Sequence, residues 1–336
     1  MSSSWGKALH ISLFGESHGE AIGVVLDGLP PGIAYDEAAI ALQMQRRAPG
    51  GRNASQRREA DVPHVLSGIY MGQTNGAPLC AIIANADARP EDYDALLRIP
   101  RPGHADYAAH VRYGGHNDAR GGGHLSGRLT APLVFAGAVA RLALARWGVS
   151  ITGRVVGVGG VSIDDEAAMD AAIQAAKNEG DSVGGLIEAT ADGVPVGWGD
   201  PIFGGMESRI AQLAYAVPGI KGVAFGTGFA LAGMRGSQAN DAFIAKDGAV
   251  RTVTNHHGGM LGGITTGMPV IVQAAVKPTP SIAIPQASVD LATMQPADIA
   301  THGRHDACIA PRALPALEAA LALALLDAAL EAEGNR

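Results

Sequence analysis

Short apolar runs alternate with longer amphipathic segments along the chain, and their spacing predicts its secondary structure. Runs of strand length occupy seven stretches: 8–14, 21–27, 77–84, 151–161, 185–191, 222–231 and 268–276. Helical spacing predicts five helices: Asp36 to about Arg47, Thr130 to Trp147, Asp164 to Glu179, Gly205 to Val217 and Leu314 to Glu331. Because the two kinds of element follow no strict βαβ rhythm, the pattern favours α+β layers over a doubly wound sheet.

Local signals mark the ends of these helices and the burial of two of them. Asp36 is a typical N-cap residue, Pro132 lies in the first turn of its helix, and Gly148 follows that helix's end. The segment 130–147 is apolar nearly all round, which predicts a helix buried on every side. The C-terminal stretch 313–332 is equally apolar but carries three acidic residues. Because a membrane span is almost free of charge, we expect a core helix there.

Composition excludes several classes of protein. The 336 residues are 47% hydrophobic and 17% charged with a net charge of −7, which argues against a disordered chain or a general nucleic-acid binder. Two cysteines, Cys80 and Cys308, exclude a disulfide scaffold and fit a reducing cytoplasm. We find no leader-like apolar segment at the start and no repeat or linker, so we expect one cytoplasmic domain over residues 1–336.

Glycine and arginine are both in excess, and they gather in loops. The 46 glycines are about twice the usual share of ~7%. Only five of the 25 basic residues are lysines, and arginine is the residue that holds phosphate or carboxylate with two hydrogen bonds. The segment 46–58 carries five arginines, including Arg46, Arg47 and Arg52. It is either an anion site or a solvated basic face.

Two loop histidines are candidates for acid–base work. His18 follows Ser17 between the glycines of Gly15-Glu16-Ser17-His18-Gly19, and His104 lies in Arg101-Pro102-Gly103-His104-Ala105-Asp106 beside a carboxylate. Histidine exchanges protons near neutral pH. The alternatives are an exposed histidine in a tight hairpin and a plain surface histidine.

Further loops suit anions. Gly121-Gly122-Gly123 precedes the helix at Thr130, where backbone N–H groups can meet a phosphate, although neither a Rossmann nor a P-loop motif is present. Lys277-Pro278-Thr279-Pro280-Ser281 is a rigid turn with a cation and two hydroxyls. His256 and His257 have no partner at zinc-binding spacing, so no metal site is expected. Together with Asp306, these loops predict an enzyme acting on a small, multiply anionic substrate, without a nucleic-acid or membrane partner.

The order of these motifs resembles the chorismate synthase family. The resemblance rests on the Gly15–Gly19 loop, the arginine segment, the His104 turn and the glycine loop with Ser126, Arg128 and Thr130. It continues through Arg235-Gly236-Ser237-Gln238, the glycine-rich turn 255–263, the lysine turn and Arg304-His305-Asp306, and so spans residues 5 to about 330.

The resemblance implies a fold, a reaction and a cofactor. The fold is a β-α-β sandwich with helices packed between two antiparallel sheets. The reaction converts 5-enolpyruvylshikimate 3-phosphate to chorismate by a 1,4-anti elimination of phosphate, the last step of the shikimate pathway. It requires reduced FMN without net redox change, and the family is usually homotetrameric. An alternative is a flavin-dependent lyase on the same scaffold with a shifted substrate.

The resemblance also assigns roles to residues. His18 would protonate the reduced flavin, His104 the leaving phosphate, and Asp306 would act as the carboxylate near the flavin. Arg46, Arg47, Arg52 and Arg128 would hold substrate anions, and Arg47 and Arg52 match dinucleotide-phosphate contacts as well. Flavin contacts are implied for Ser126, Gly262, Lys277, Pro278, Thr279, Pro280, Ser281 and Arg304.

The chain departs from the family pattern at the flavin pocket. The changed positions are Ala119, His124, Leu125, Gly127, Leu129, Pro218, Gly219 and Pro280. Flavin is reduced either by NADPH on the protein or by an external flavin reductase. No dinucleotide fingerprint is visible, which favours the external supply.

Overall fold

Two five-stranded antiparallel sheets enclose a layer of helices in the computed structural model, which describes residues 3–48, 61–85, 98–246, 248–301 and 306–334. The strands are β1 (Ser4–Trp5), β2 (His10–Gly15), β3 (Ala21–Asp27), β4 (His64–Ser67), β5 (Ile69–Tyr70), β6 (Gln73–Thr74), β7 (Leu79–Ala84), β8 (Ser150–Val158), β9 (Val161–Ser162), β10 (Gly185–Asp192), β11 (Ile220–Phe225), β12 (Phe243–Lys246), β13 (Ala249–Thr252), β14 (Met260–Leu261), β15 (Ile264–Thr265), β16 (Val270–Val276), β17 (Gln286–Asp290) and β18 (Gln295–Ile299). The helices are α1 (Glu37–Arg47), α2 (Asp106–Arg112), α3 (Thr130–Leu144), α4 (Glu166–Asn178), α5 (Met206–Ala216), α6 (Gly236–Ala239) and α7 (Ala310–Gly334).

The sheets are built from antiparallel neighbours. The first has the order β1-β2-β3-β7-β4 and the second the order β11-β16-β10-β8-β9. In β3, the side chains of Ile22, Val24 and Leu26 alternate onto the buried face, and Leu79, Ala81 and Ile83 do the same in β7. Each sheet therefore presents one apolar face to the helical layer.

The central layer is held by α3 and α7, which pack against each other. α3 also contacts β3 and β7 of the first sheet, while α7 contacts β8, β10 and β16 of the second. Gly137 allows the two helices to approach closely, because a Cβ there would lie 2.2 Å from the Ala319 Cβ. Since both helices have neighbours on opposite sides, they are apolar nearly all round.

Most of the predicted elements are confirmed, and the differences have local causes. β3 has the predicted bounds, Asp36 accepts the Ala39 N–H at 3.0 Å as an N-cap, and Gly148 ends the helical segment with φ of 75°. The strand expected over 222–231 is wrong beyond Phe225, because the chain turns into a short 3-10 helix at Gly228–Gly233. The C-terminal helix begins at Ala310 instead of Leu314.

The fold class is confirmed as an α+β sandwich with helices between antiparallel sheets. The elements that were not predicted are all short: the helices α2 and α6, the edge strands β1 and β4, and the hairpins β5–β6, β12–β13, β14–β15 and β17–β18. Among the described residues, the segments Arg120–Trp147 and Ala310–Gly334 have the length and composition of membrane spans, but 83% and 94% of their most apolar windows are buried in the fold. Both contribute core helices, as the acidic residues of the second one predicted.

Candidate active site

A cavity of about 980 Å³ lies between the start of α3, the end of α5 and the start of α7. Its volume is in the range of small-molecule sites. Its walls come from eight stretches of the chain: 3–5, 11–13, 101–105, 112–113, 121–133, 212–221, 277–281 and 306–312. The fold therefore brings the His104 turn, the glycine loop, the lysine turn and Asp306 around one volume.

The cavity is electropositive. Arg101, Arg112, Lys221, Lys277 and Arg312 line it, and Asp306 is the acidic side chain among its described lining residues. Burial and the nearby charge of Lys221 lower the pKa of Lys277. Such a surface attracts a ligand with several negative charges.

His104 is held by charged groups of its own turn. Its Nδ1 lies 2.5 Å from Oδ1 of Asp106, and Arg101 binds both oxygens of that carboxylate at 2.8 Å. Burial by itself would raise the pKa of Asp106, but hydrogen bonds from Arg101 and His104 outweigh it and hold this pKa well below its usual range. Asp106 is therefore an anion, and His104 donates Nδ1–H to it.

His18 lies behind the glycine loop. Ser17 donates its hydroxyl hydrogen to the Arg120 carbonyl at 3.1 Å, so its oxygen accepts from His18 Nδ1 at 3.0 Å. A Cβ on Gly121 would lie 2.3 Å from Cε1 of His18, and one on Gly122 would lie 3.0 Å from Cε1 of His104. The two adjacent glycines thus pack against the two imidazoles.

All three residues of the glycine loop have a positive φ, and anion binding by this loop stays a prediction. Gly121, Gly122 and Gly123 have φ values of 58°, 89° and 52°, within a 3-10 segment that precedes α3. The Gly122 N–H donates to the Ala119 carbonyl, and the Gly123 carbonyl accepts from Ser17 N–H. These contacts show that the loop packs around the histidines.

The lysine turn contacts the His104 turn and Asp306. Lys277 Nζ donates to the Gly103 carbonyl, and Arg101 Nη1 donates to Ser281 Oγ at 3.1 Å. Thr279 Oγ1 donates to the Asp306 carbonyl at 2.9 Å. Turns more than 170 residues apart in sequence therefore form one continuous wall.

Asp306 is a buried carboxylate on the cavity wall, 7% exposed. Arg312 Nη1 lies 2.5 Å from its Oδ2, and Arg312 Nε also donates to the Arg47 carbonyl at 3.1 Å. The arginine thus ties the start of α7 to both Asp306 and the end of α1.

Two of the expected substrate arginines lie in a buried ion-pair cluster. Arg47 and Arg128 both bind Asp61, whose side chain is fully buried. Arg47 also donates to Thr130 Oγ1 at 3.1 Å, and Arg128 donates to Asn85 Oδ1 at 3.0 Å. Burial lowers the pKa of Arg47 to about 10, although the charge of Asp61 opposes this effect. Neither guanidinium belongs to the described cavity wall.

Arg46 is also engaged elsewhere. It binds both carboxylate oxygens of the buried Glu318 at 2.6 and 2.7 Å, and Arg141 shares that carboxylate at 2.9 Å. This ion pair joins α1 to α7. Arg46 therefore contributes to the helical layer in this structure and is not brought to the cavity.

The remaining predicted residues are divided between the cavity and other places. Ser126, Thr279, Pro280 and Ser281 line the cavity with Lys277. Pro278 is exposed in the lysine turn, and Gly262 is exposed in the turn between β14 and β15, away from the described wall. Arg52 and Arg304 lie outside the described residues.

The departures from the family pattern cluster on the cavity wall. His124, Leu125, Gly127, Leu129, Pro218, Gly219 and Pro280 all line it. His124 bridges the Gly15 carbonyl and Ser3 Oγ, each at 2.8 Å, so it ties the N-terminal segment to the glycine loop.

Sequence patterns did not indicate several wall residues. The N-terminal residue Trp5 donates its indole N–H to Gln212 at 2.8 Å, and both line the cavity with Arg112 and Lys221. No motif marks them, because strand pairing of β1 with β2 brings Trp5 to this wall. Within the described ranges, no group of three His, Cys, Asp or Glu side chains has metal-binding geometry.

Comparison with known proteins covers nearly the whole chain. A family model described as chorismate synthase matches residues 9–330. A chorismate synthase from Thermococcus kodakarensis is 46% identical over 340 residues, which cover 96% of each chain. One from Aeropyrum pernix is 45% identical over 348 residues, covering 96% of this chain and 92% of the relative.

A solved structure has a similar fold. It is a crystal structure of chorismate synthase with a TM-score of 0.78 and 27% sequence identity, covering 98% of this chain and 94% of that chain. The similarity therefore extends over the full sandwich and is not limited to single motifs.

Proposed function

The chain belongs to the chorismate synthase family, and from this premise we propose how the residues of its cavity carry the family's reaction. The protein is a carbon–oxygen lyase that converts 5-enolpyruvylshikimate 3-phosphate to chorismate and phosphate. This is a 1,4-anti elimination and the last step of the shikimate pathway. The observation that carries the proposal is the electropositive cavity with His104 and Asp306 on its wall.

The substrate fits this cavity by charge. It carries a phosphate and two carboxylates, whereas three arginines and two lysines line the wall. Phosphate leaves slowly unless its developing charge is neutralised. We assign this role to Arg101 and Lys277 beside His104, whose Nε2–H would donate its proton to the departing phosphate oxygen.

His18 is proposed as the second proton carrier. Because its Nδ1 donates to Ser17, its Nε2 is the ring nitrogen that exchanges a proton with a bound group. Asp306 is proposed as the acceptor of the substrate hydrogen. Arg312 would stabilise its carboxylate form through the 2.5 Å hydrogen bond.

We propose reduced FMN as the cofactor, and the residues present fit it. Its phosphate suits the cationic wall, and its ring system suits the apolar side chains of Trp5, Leu13 and Leu133 in the same cavity. The holding residues would be Ser126 and Lys277 to Ser281, with Gly262 and Arg304 assigned by the family pattern alone. When bound, reduced FMN supplies electron density to the substrate as the carbon–oxygen bond breaks.

The direct test of function is an anaerobic assay. Purified protein receives the phosphate ester and chemically reduced FMN, and chorismate and phosphate are measured in equal amounts. Absence of both products would overturn the proposal. If flavin still binds, that result would favour the alternative of a lyase with a shifted substrate.

Replacing Lys277 with Met tests the flavin site. Loss of one charge-assisted hydrogen bond is expected to weaken FMN binding about tenfold. A fluorescence titration of FMN measures the dissociation constant. Lys177→Met, at an exposed position of α4, is the matched control and should bind as the wild type does. Equal affinity in all three proteins would remove Lys277 from the flavin site.

Replacing Gly121 with Ala tests the packing of His18. The new Cβ would collide with the imidazole, so we expect His18 to be displaced and kcat to fall about tenfold. Gly72→Ala is the matched control, because Gly72 also has a positive φ of 75° but nothing within 4 Å of its Cβ position. A kcat equal to that of the control would contradict the role of His18.

The source of the electrons that reduce FMN is a further proposal. An external flavin reductase is favoured as reductant, and NADPH is the alternative. Oxidation of NADPH by the purified protein with FMN, followed by the loss of absorbance of the reduced nicotinamide, would decide for NADPH.

A homotetramer is proposed from the family and from exposed apolar side chains. Phe203, Phe229 and Phe243 are 95%, 86% and 71% exposed, which is unusual for large aromatic residues and typical of a protein contact. Light scattering should give the mass of four chains.

We place the protein in the cytoplasm, where its two free cysteines stay reduced.

A further inference from the structure

Asp106 lies at the centre of a cluster of charged side chains, and the proposed chemistry gives its carboxylate no role. Its carboxylate accepts from His104 Nδ1 at 2.5 Å and from Arg101 Nε and Nη2 at 2.8 Å each. It also accepts the backbone N–H of Arg101 at 3.0 Å. The Asp106 side chain is 6% exposed, so these contacts are shielded from water.

Arg101 creates an electrostatic problem for an acid at His104. Its Nη2 lies 3.0 Å from Nδ1 and 3.4 Å from Nε2 of the imidazole, so a permanent cation is beside both ring nitrogens. A doubly protonated imidazole acting as proton donor would therefore place two positive charges side by side. Arg101 cannot release its own charge, because guanidinium stays protonated.

Other charges near this turn are also positive. The Lys277 ammonium contacts the Gly103 carbonyl next to His104. Arg112, Lys221 and Arg312 line the same cavity, where Asp306 is the acidic member and is itself bound to Arg312. Among the described residues, Asp106 is the anion in direct contact with His104.

The geometry points to Asp106 as the positioning residue that makes His104 a proton donor beside Arg101, an inference that rests on the proposed function. The carboxylate fixes the proton on Nδ1 and leaves Nε2 for the substrate. It also balances the Arg101 charge, so that the imidazole can carry a second proton. In the reaction, the Nε2 proton passes to the leaving phosphate oxygen as the carbon–oxygen bond breaks. His104 then becomes neutral. Its Nδ1 keeps its hydrogen and still donates it to the Asp106 carboxylate, which remains ionised.

The group formed by Arg101, His104 and Asp106 also fixes the His104 turn against the lysine turn. Arg101 binds Asp106 on one side and Ser281 of the lysine turn on the other. The acid is therefore oriented relative to the turn proposed to hold the cofactor. A change at Asp106 should act through His104 and should not remove a substrate ligand.

The test compares Asp106→Asn with the wild type after wild-type turnover has been established. Asn keeps the shape but loses the charge, so we expect kcat to fall about tenfold with KM for the phosphate ester changed less than twofold. On the alkaline side, the pH at which kcat falls to half should move down by about one unit or more. Asp290→Asn alters an Asp–Arg pair outside the cavity wall and should match the wild type.

Asp106→Glu separates charge from shape. It retains the carboxylate, so its alkaline limb should return to that of the wild type even where kcat stays reduced. A lower kcat with an unshifted alkaline limb in Asp106→Asn would overturn the inference, since a merely structural role lowers activity at every pH. If Asp106→Asn does not fold, the inference would be overturned by Asp106→Glu instead, provided that the alkaline limb of its pH profile differs from that of the wild type. Absence of wild-type turnover would instead count against the proposed function.

Discussion

Replacing His104 with Ala is expected to lower kcat by about 10² or more while the fold is retained. The magnitude is that of a lost general acid. His104 is on the wall of the cationic cavity, its Nδ1 is held by Asp106, and we propose that its Nε2 donates to the leaving group. Anaerobic turnover of the phosphate ester with reduced FMN measures the effect.

The control for this variant is His64→Ala, at an exposed position of β4. It should retain wild-type turnover, and both variants should melt near the wild-type temperature. If His104→Ala turned over the substrate at the wild-type rate, His104 would have no part in the proton transfer.

Replacing Asp61 with Asn is expected to lower the free energy of unfolding by about 3–5 kcal/mol. Arg47 and Arg128, 3% and 5% exposed, would then be two buried cations without their shared anion. Asp61 has a positive φ of 46°, which asparagine tolerates, so the substitution mainly removes charge. Urea unfolding at neutral pH measures the difference.

In the wild type, acid should lower the free energy of unfolding for the same reason as the Asp61→Asn substitution does. Burial by itself would raise the pKa of Asp61, but the charges of Arg47 and Arg128 outweigh it and lower this pKa below its usual value. A carboxyl whose pKa is lower in the folded state stabilises the fold above its unfolded pKa of about 3.9. That contribution is lost as the pH falls through the folded-state pKa, so the difference between wild type and Asp61→Asn should shrink there.

An exposed ion pair provides the matched comparison. Asp118 binds Arg120 through both its oxygens, at 2.9 and 2.7 Å, but the Arg120 side chain is 44% exposed. Asp118→Asn should therefore cost no more than about 1 kcal/mol. If Asp61→Asn and the wild type unfolded at the same urea concentration, the buried cluster of Arg47, Asp61 and Arg128 would not stabilise this protein.

Part of the active site could be predicted from neighbouring residues alone. His104 and Asp106 are two positions apart, and the carboxylate beside the histidine was visible in the motif. Ser17 and His18 are adjacent and form a hydrogen bond, as a tight turn favours. The packing of Gly121 and Gly122 against His18 and His104 joins segments more than 15 residues apart in sequence, so the glycine motif alone did not indicate it.

The arginines show where local pattern is insufficient. Arg46 and Arg47 are adjacent at the end of α1 and look equivalent in the sequence. Helical geometry turns them to different neighbours, so that Arg46 binds Glu318 of α7 whereas Arg47 binds Asp61. An arginine's partner is set by the packing of distant elements, which the sequence motif does not contain.

The sequence by itself determined the long elements and their order, the apolar central helices and the family, because periodicity and ordered motifs are local properties of the chain. Only the tertiary structure decided which charged groups face the cavity and which neutralise one another inside the sandwich. Charged side chains are paired when they are buried, and burial is a property of the packed layers. Arg101, Lys277 and Arg312 are therefore brought to the cavity, while Arg46, Arg47 and Arg128 hold the fold together around Glu318 and Asp61.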